Sequence, residues 1–190
     1  MKRFYLTCCI LLGISGVAFA ERQTPVQVAL FRPVQVFNQD YKVDGLRLDL
    51  IYGANVNVDG LDLGFVNQTM ADENGVQIGG LNIVDGHFYG WQDGAFNLVN
   101  GDFVGYQEGF MNYVDGNFCG LQDGLVNVTQ GTLTGFQLPG FWNYVGKDMK
   151  GLQFGLVNIA GDLDGVQIGL VNLNGNKRPF EFFPIVNASF

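Results

Sequence analysis

The chain repeats a segment of fifteen residues from Gly60 to about residue 175, and this period constrains the fold more than any other feature. Three successive copies, starting at residues 90, 105 and 120, read GWQDGAFNLVNGDFV, GYQEGFMNYVDGNFC and GLQDGLVNVTQGTLT. A unit of this length cannot bury a core alone, so the copies must stack on one another. The sequence therefore predicts one repeat domain of about eight units within residues 45–175.

The composition of the repeats predicts an all-β fold. Glycine recurs every few residues, which disfavours a helix, and the apolar residues between the glycines do not follow a helical period. These apolar residues are mostly Val, Leu, Ile and aromatic residues, which favour strands. Asp-Gly and Asn-Gly pairs such as Asp85-Gly86 and Asn100-Gly101 indicate tight turns between them.

Two polar positions of the repeat favour a β-solenoid. Counted from the first glycine of each copy, position 3 is Gln and position 8 is Asn. In a solenoid each repeat forms one coil, so equivalent residues stack about 4.8 Å apart and identical amides can form a hydrogen-bonded ladder. The predicted ladder residues are Gln77, Gln92, Gln107, Gln122, Gln137, Gln153 and Gln167, together with Asn67, Asn82, Asn97, Asn112, Asn127, Asn143, Asn158 and Asn172.

Two antiparallel arrangements remain open from the sequence. The Asp-Gly and Asn-Gly pairs are typical of hairpin turns and favour an up-and-down meander. Short strands ending in Phe190 also fit a small outer-membrane β-barrel, although Asp93, Glu108 and Asp123 would then face lipid. The solenoid is the main prediction because only direct stacking of equivalent positions requires the same amide in every copy.

The two ends of the chain differ from the repeats. Residues 1–20 begin with Lys2 and Arg3, continue with an apolar run and end at Ala20 after a small-x-small pattern, which predicts a cleaved signal peptide and export. Residues 21–44 and 176–190 contain prolines and charges, which disfavour continued strand pairing. We expect them to form an N-terminal and a C-terminal cap.

Charge excludes one class of partner. Without residues 1–20 the chain keeps all 18 acidic and 8 of its 10 basic residues, so its net charge is 8 − 18 = −10. No Lys or Arg lies between Arg47 and Lys147. Nucleic acid is therefore not an expected partner, because a phosphate backbone requires a basic surface. Cys119 is the only cysteine beyond the predicted signal, so no intramolecular disulfide is expected.

The sequence contains no recognisable catalytic constellation. His87 is the only histidine and follows a predicted turn, and we expect it on the surface. We expect Cys119 to pack against its neighbours rather than to act as a nucleophile. The aromatic residues Trp91, Tyr106 and Phe136 at position 2, and Phe96 and Trp142 at position 7, are expected to fill the core. No enzymatic activity and no cofactor other than calcium is predicted.

Calcium is the one metal that the sequence raises as a hypothesis. Asp93, Glu108 and Asp123 occupy position 4 of three successive copies and would form one acidic column in a solenoid. Such a column either lies in solvent or holds a cation between its carboxylates, and Ca²⁺ prefers ligands of this kind. A calcium-stabilised binding module is therefore one alternative function.

The string GLQFGLVNIAGDLDGVQIGLVNLNG at 151–175, with the Pro- and Phe-containing end at 179–190, resembles a bacterial family of exported surface-repeat proteins built from GLQxGLVN units. The segment from Pro25 to Asn67 resembles the region that precedes these repeats. The resemblance implies an address in the periplasm, in the outer membrane or on the cell surface, and it implies no catalytic residues. We therefore expect a non-enzymatic structural or adhesion-like protein that binds an envelope or extracellular protein or glycan and can associate with a membrane. An integral outer-membrane barrel is the alternative.

Overall fold

The computed structural model describes residues 22–175 and 182–190, which contain ten β-strands and no helix. The strands are β1 (Gln23–Phe31), β2 (Val34–Gln35), β3 (Lys42–Asn55), β4 (Val58–Thr69), β5 (Glu73–Val84), β6 (Phe88–Val99), β7 (Phe103–Val114), β8 (Phe118–Thr129), β9 (Leu133–Asn174) and β10 (Phe182–Ser189). They form one sheet with the order β10-β9-β8-β7-β6-β5-β4-β3-β1-β2. The predicted signal peptide and residues 176–181 lie outside the described residues.

The strands from β3 to β9 pair in parallel, with equivalent repeat positions directly opposite each other. Gly90 pairs with Gly105, Gln92 with Gln107 and Asn97 with Asn112. The structure therefore confirms the β-solenoid. It has about nine turns rather than eight, since a coil starting at Gly45 precedes the copy that starts at Gly60. Both antiparallel alternatives require neighbouring strands to run in opposite directions, which these strands do not do.

A glycine with positive φ opens each coil. The nine glycines at position 1 have φ values between 129° and 155°, a region that residues with a Cβ rarely adopt. A Cβ added at Gly105 would overlap the backbone carbonyl oxygen of Gly90 in the coil below. Glycine at position 1 thus satisfies two requirements, an unusual backbone angle and close contact between successive coils.

The interior combines two amide ladders with a narrow apolar core. Gln at position 3 and Asn at position 8 are fully buried, as are the apolar residues at positions 10 and 14. The rings of Phe88, Phe103 and Phe118 at position 14 stack with centroids 5.0 Å apart. The apolar core is therefore built from residues on both sides of the turn, position 10 before it and position 14 after it, and not from positions 2 and 7 as the sequence predicted.

The predicted location of the aromatic residues at positions 2 and 7 is wrong. Trp91 is 40% exposed, Phe96 48% and Phe136 49%. Successive side chains of a strand point to opposite sides, so an inward Gln at position 3 places positions 2 and 4 outside. Cys119 is also exposed instead of packed.

Each end of the stack is covered by a different strand. β1 continues the stack in parallel with β3, and β2 pairs with β1 in the antiparallel direction. At the other end β10 runs antiparallel along the last coil of β9, with Val186 opposite Ile168 and Ala188 opposite Val166. The repeated coils between these ends carry the candidate sites.

Candidate functional site

The glutamines at position 3 form a continuous ladder. The Nε2 atom of each glutamine donates to Oε1 of the glutamine in the preceding coil, at 2.7–2.8 Å from Gln92 to Gln167. At the C-terminal end, Asn187 of β10 donates its Nδ2 to Oε1 of Gln167 at 3.2 Å. All donors of this ladder point towards the N-terminal end of the stack.

The asparagines at position 8 form a second ladder with the opposite polarity. Nδ2 of each asparagine donates to Oδ1 of the asparagine in the following coil, at 2.8–3.0 Å from Asn67 to Asn172. The same Nδ2 also donates to a backbone carbonyl of the next coil, for example Asn82 to Asp93 at 2.8 Å. Each asparagine thereby connects two coils through both side chain and backbone.

Interrupting the glutamine ladder is expected to destabilise the fold. Gln107→Leu removes the donor to Gln92 Oε1 and the acceptor of Gln122 Nε2, which leaves two buried polar atoms unpaired. Each such atom costs about 1–3 kcal/mol, so the free energy of unfolding should fall by about 2–6 kcal/mol in urea denaturation. Gln130→Leu, at an exposed position, should change it by less than about 0.5 kcal/mol. Equal effects of the two substitutions would contradict the role of the ladder.

A buried ionic cluster interrupts the glutamine column in the first two coils. Position 3 is occupied there by Arg47 and Asp62, both with no exposed surface. Nε of Arg47 donates to Oδ1 of Asp62 at 2.7 Å and Nη2 donates to Oδ2 at 2.5 Å. Nη1 of Arg47 also donates to the carbonyl oxygen of Gln68 at 2.8 Å. The cluster is a forked ion pair in a site with no access to water.

Glu73 is the third member of this cluster. Glu73 replaces the aromatic residue of position 14, and its Oε2 accepts hydrogen bonds from Oγ1 of Thr69 at 2.6 Å and Nε2 of Gln77 at 2.8 Å. Gln77 also donates to Oδ2 of Asp62 at 3.0 Å, so the glutamine ladder ends on two carboxyl groups. Burial and the charge of Asp62 raise the pKa of Glu73 well above its usual value. Burial alone would lower the pKa of Arg47, but the attraction and hydrogen bonds of Asp62 raise it.

Asp49 is the fourth member of the cluster. It occupies position 5, where the later coils have glycine, and Gly53 occupies the position at which they have asparagine. The Asp49 carboxyl group fills the space that a side chain on Gly53 would need. Oδ2 of Asp49 lies 3.2 Å from Nε of Arg47, but neither carboxyl oxygen of Asp49 accepts a hydrogen bond. Oδ1 of Asn67, at the start of the asparagine ladder, also has no hydrogen-bond partner. Burial raises the pKa of Asp49 to about 7.

The ionic cluster predicts a pH dependence of stability. With a folded pKa of about 7 against 3.8, Asp49 binds more protons in the folded than in the unfolded chain over that range. The stabilisation that Asp49 gives the folded chain by binding a proton is fully present below about pH 4, and it is lost as the pH rises to about 7. The change in free energy of unfolding between about pH 5 and about pH 8 should therefore be smaller in Asp49→Asn than in the wild type. Asp44→Asn, at an exposed site, should leave it unchanged. An identical pH profile for Asp49→Asn and the wild type would contradict this.

The ionic cluster was not predicted from the sequence, although the repeat contains two signals of it. One signal in the sequence is that Arg47 and Asp62 replace glutamine in a column that is otherwise uniform through Gln167. Glu73 in the column of Phe88 and Phe103 is a second signal of the same kind. A polar residue in an otherwise apolar inward column indicates a compensating partner in an adjacent coil.

The acidic column at position 4 lies on the outside of the stack. Asp93, Glu108 and Asp123 pair in register through β6, β7 and β8 and are partly exposed. Burial and the neighbouring Glu108 raise the pKa of both Asp93 and Asp123. Burial and the hydrogen bond and charge of Glu108 raise the pKa of Tyr106 to about 12.

Among the described residues, no group of three His, Cys, Asp or Glu side chains is arranged to hold a metal ion. The calcium hypothesis for Asp93, Glu108 and Asp123 stays a prediction. Its measurement is a melting curve in millimolar calcium: binding at this column requires a higher melting temperature, and Asp93→Asn combined with Asp123→Asn must remove the increase.

His87 and Cys119, the two reactive residues considered from the sequence, lie on the surface. Nδ1 of His87 accepts a hydrogen bond from the backbone N–H of Asp102 at 2.9 Å, and the side chain is 46% exposed. Cys119 is exposed on β8. The histidine therefore links the turns of two successive coils by a hydrogen bond.

Comparison of the chain with protein-family models, with curated proteins and with solved structures gives no match. The assignment to a surface-repeat family stays a prediction from the repeat motifs. Within residues 22–175 and 182–190, no helical segment combines the length and the apolar character of a membrane span.

Proposed function

We propose that this protein is a non-enzymatic structural or interaction element of a bacterial cell envelope that acts through the outer surface of its solenoid. The N-terminal signal pattern and the resemblance to exported repeat proteins support the address. The interior supports the non-enzymatic role, because its polar groups are largely occupied by ladder hydrogen bonds.

The observation that carries the interaction role is the apolar exterior. Large apolar side chains remain exposed along the stack, among them Phe65 and Leu170 at 67% and Phe110 and Phe141 at 58%. They lie on coils held rigidly by backbone ladders and by two amide ladders. Extended apolar surfaces of this kind on soluble proteins usually mark an interaction site.

The chemistry of this surface favours a protein partner over a glycan. Sugar hydroxyl groups require many hydrogen-bonding groups, whereas the exposed side chains at both ends of the stack, such as Phe65, Phe154 and Leu170, are apolar. The net charge of −10 without residues 1–20 opposes nucleic acid.

Cell fractionation tests the proposed address. Envelopes from bacteria that express the full chain are washed with alkaline carbonate and then extracted with detergent, and the N-terminus of the recovered protein is determined by mass spectrometry. We expect the protein to start at Glu21 and to leave the envelope in the soluble or carbonate fraction. Recovery from the cytoplasm with Met1 or Lys2 at the N-terminus would refute the address, and release only by detergent would refute a peripheral association.

A further inference from the structure

The outward positions 2, 4 and 6 of the coils from Gly60 to residue 175 form one side of the solenoid, which we call the apolar face. These positions alternate along a single strand segment, so their side chains point in the same direction. Eight coils about 4.8 Å apart and five residues about 3.3 Å apart give this face an area of about 600 Å². That is close to the area of about 800 Å² that one partner contributes to a standard protein interface.

One end of the apolar face deepens into a groove of about 530 Å³. Phe141, Phe154, Leu156 and Leu170 line it, and Ile185 of β10 closes one end. Ile185 is 69% exposed and has a φ of 74°, a conformation that a β-branched residue adopts only at a cost of about 1–3 kcal/mol. The pairing of β10 with β9 shifts register between Phe183 and Ile185, and Ile185 lies at the wall of the groove beside this irregularity.

The centre of the apolar face is acidic. Asp93, Glu108 and Asp123 lie at position 4 in the fourth, fifth and sixth of the nine coils, and the rings of Trp91 and Tyr106 stack beside them at 6.5 Å. Every other residue at position 4 from Gly60 onwards is apolar. The face is thus apolar towards both ends and negative in the middle.

This charge pattern selects among the occupants. A second copy placed on the face with full overlap would bring the three central acids of each copy together, and like charges oppose that contact. A lipid surface would have to accept the same three carboxylates in its apolar layer, and an anionic membrane would also repel the net negative chain. A partner that carries basic side chains between two apolar ends is complementary to the whole face.

Resting on the proposed interaction role, we propose that the apolar face binds a cationic amphipathic protein segment that lies along the solenoid axis. The segment places apolar side chains in the groove beside Leu156 and Leu170 and on the opposite end beside Phe65. Its basic side chains contact Asp93, Glu108 and Asp123, while Trp91 and Tyr106 offer aromatic faces to the same cations.

An amphipathic helix matches the spacing of this face. The three acids lie one coil apart, about 4.8 Å from each to the next, and side chains one helical turn apart recur every 5.4 Å or so. Three basic residues on one side of a helix therefore reach the three acids in turn. Burial and the charge of Glu108 raise the pKa values of Asp93 and Asp123, and a cation between the carboxylates relieves the repulsion by Glu108.

The probe is a fluorescent synthetic helix with leucines on one side towards both ends and three lysines in the middle of that side. Its matched control carries three glutamates in place of the lysines. We expect fluorescence anisotropy to detect binding of the lysine peptide and no binding of the glutamate peptide. Asp93→Asn, Glu108→Gln and Asp123→Asn combined should weaken binding of the lysine peptide at least about tenfold, and Leu156→Ser should weaken it independently of salt.

The control variant combines Asp72→Asn, Asp85→Asn and Asp115→Asn, which removes the same charge from exposed turns away from the apolar face. It should bind within about twofold of the wild type. Equal weakening in both triple variants, or no binding by the wild type, would overturn the proposal. So would a dimer in light scattering without peptide, or binding of the wild type to phosphatidylcholine vesicles. Circular dichroism establishes that each variant is folded.

The two proposals fail separately. If fractionation places the protein in the envelope but the lysine peptide does not bind, only the partner chemistry is wrong. If the peptide binds but the protein remains in the cytoplasm with an intact N-terminus, the proposed location is wrong and the proposed partner chemistry of the apolar face stands.

Discussion

Replacing Arg47 with glutamine is expected to lower the free energy of unfolding by about 3–5 kcal/mol, the usual cost of removing one partner from a buried ion pair. Arg47 is the only basic residue in a cluster that contains Asp49, Asp62 and Glu73, and its guanidinium forms a two-bond fork with Asp62. Without it the cluster retains three carboxyl groups out of contact with water. Urea denaturation at neutral pH measures the loss.

A second variant separates the effect of charge from the effect of packing. Arg47→Gln combined with Asp62→Gln places glutamine at both exceptional positions and continues the column from Gln77 towards Gln27. We expect this variant to recover at least half of the stability that the single variant loses, because it leaves no unpaired charge at position 3. A double variant as unstable as Arg47→Gln would show that the size and shape of the arginine side chain matter more than its charge.

Replacing Gly105 with alanine is expected to lower the free energy of unfolding by at least about 3 kcal/mol, and to prevent folding if the coils cannot separate. Gly105 has a φ of 136°. A Cβ at this position would overlap the carbonyl oxygen of Gly90, and backbone in a paired strand has little freedom to move. The shift in the midpoint of thermal unfolding is the measurement.

Gly80→Ala is the matched control for this effect. Gly80 lies at the outward position 6, and an added Cβ would meet the carbonyl oxygen of Phe65 at 3.0 Å without a positive φ. Ala95 occupies the same position in the next coil. We expect a change of less than about 1 kcal/mol. A loss comparable to that of Gly105→Ala would mean that any added carbon disrupts the stack, irrespective of backbone angle.

The polarity of the two ladders explains why the first coils depart from the repeat. The glutamine ladder directs its donors towards the N-terminal end, where a chain of amides needs a strong acceptor, and it meets the carboxyl groups of Asp62 and Glu73. Arg47 then balances that negative charge. At the C-terminal end Asn187 donates to Gln167, while Asn172 donates to the carbonyl oxygen of Phe183. The ends of the stack therefore pair both ends of the glutamine ladder and the C-terminal end of the asparagine ladder, whereas Oδ1 of Asn67 has no hydrogen-bond partner.

The sequence by itself determined the stacking of the repeats. A fixed period with the same amide at positions 3 and 8, such as Gln107 and Asn112, predicts parallel coils, because a ladder requires identical partners at equal spacing. Glycine at position 1 is likewise readable from the sequence, as is the register of Asp93, Glu108 and Asp123. Each of these features depends only on residues that recur at one interval.

Only the tertiary structure decided which side chains face inwards and which groups meet across coils. Trp91 lies outside because the neighbouring Gln92 points inwards, and Phe103 lies inside because it shares the inward side with Gln107. The repeat pattern alone does not show whether these glutamines point inwards or outwards. The contacts of Arg47 with Asp62 and Thr69 join residues that are 15 and 22 positions apart. The turns of the coil bring these residues together, and the cost of burying a charge then makes each contact obligatory.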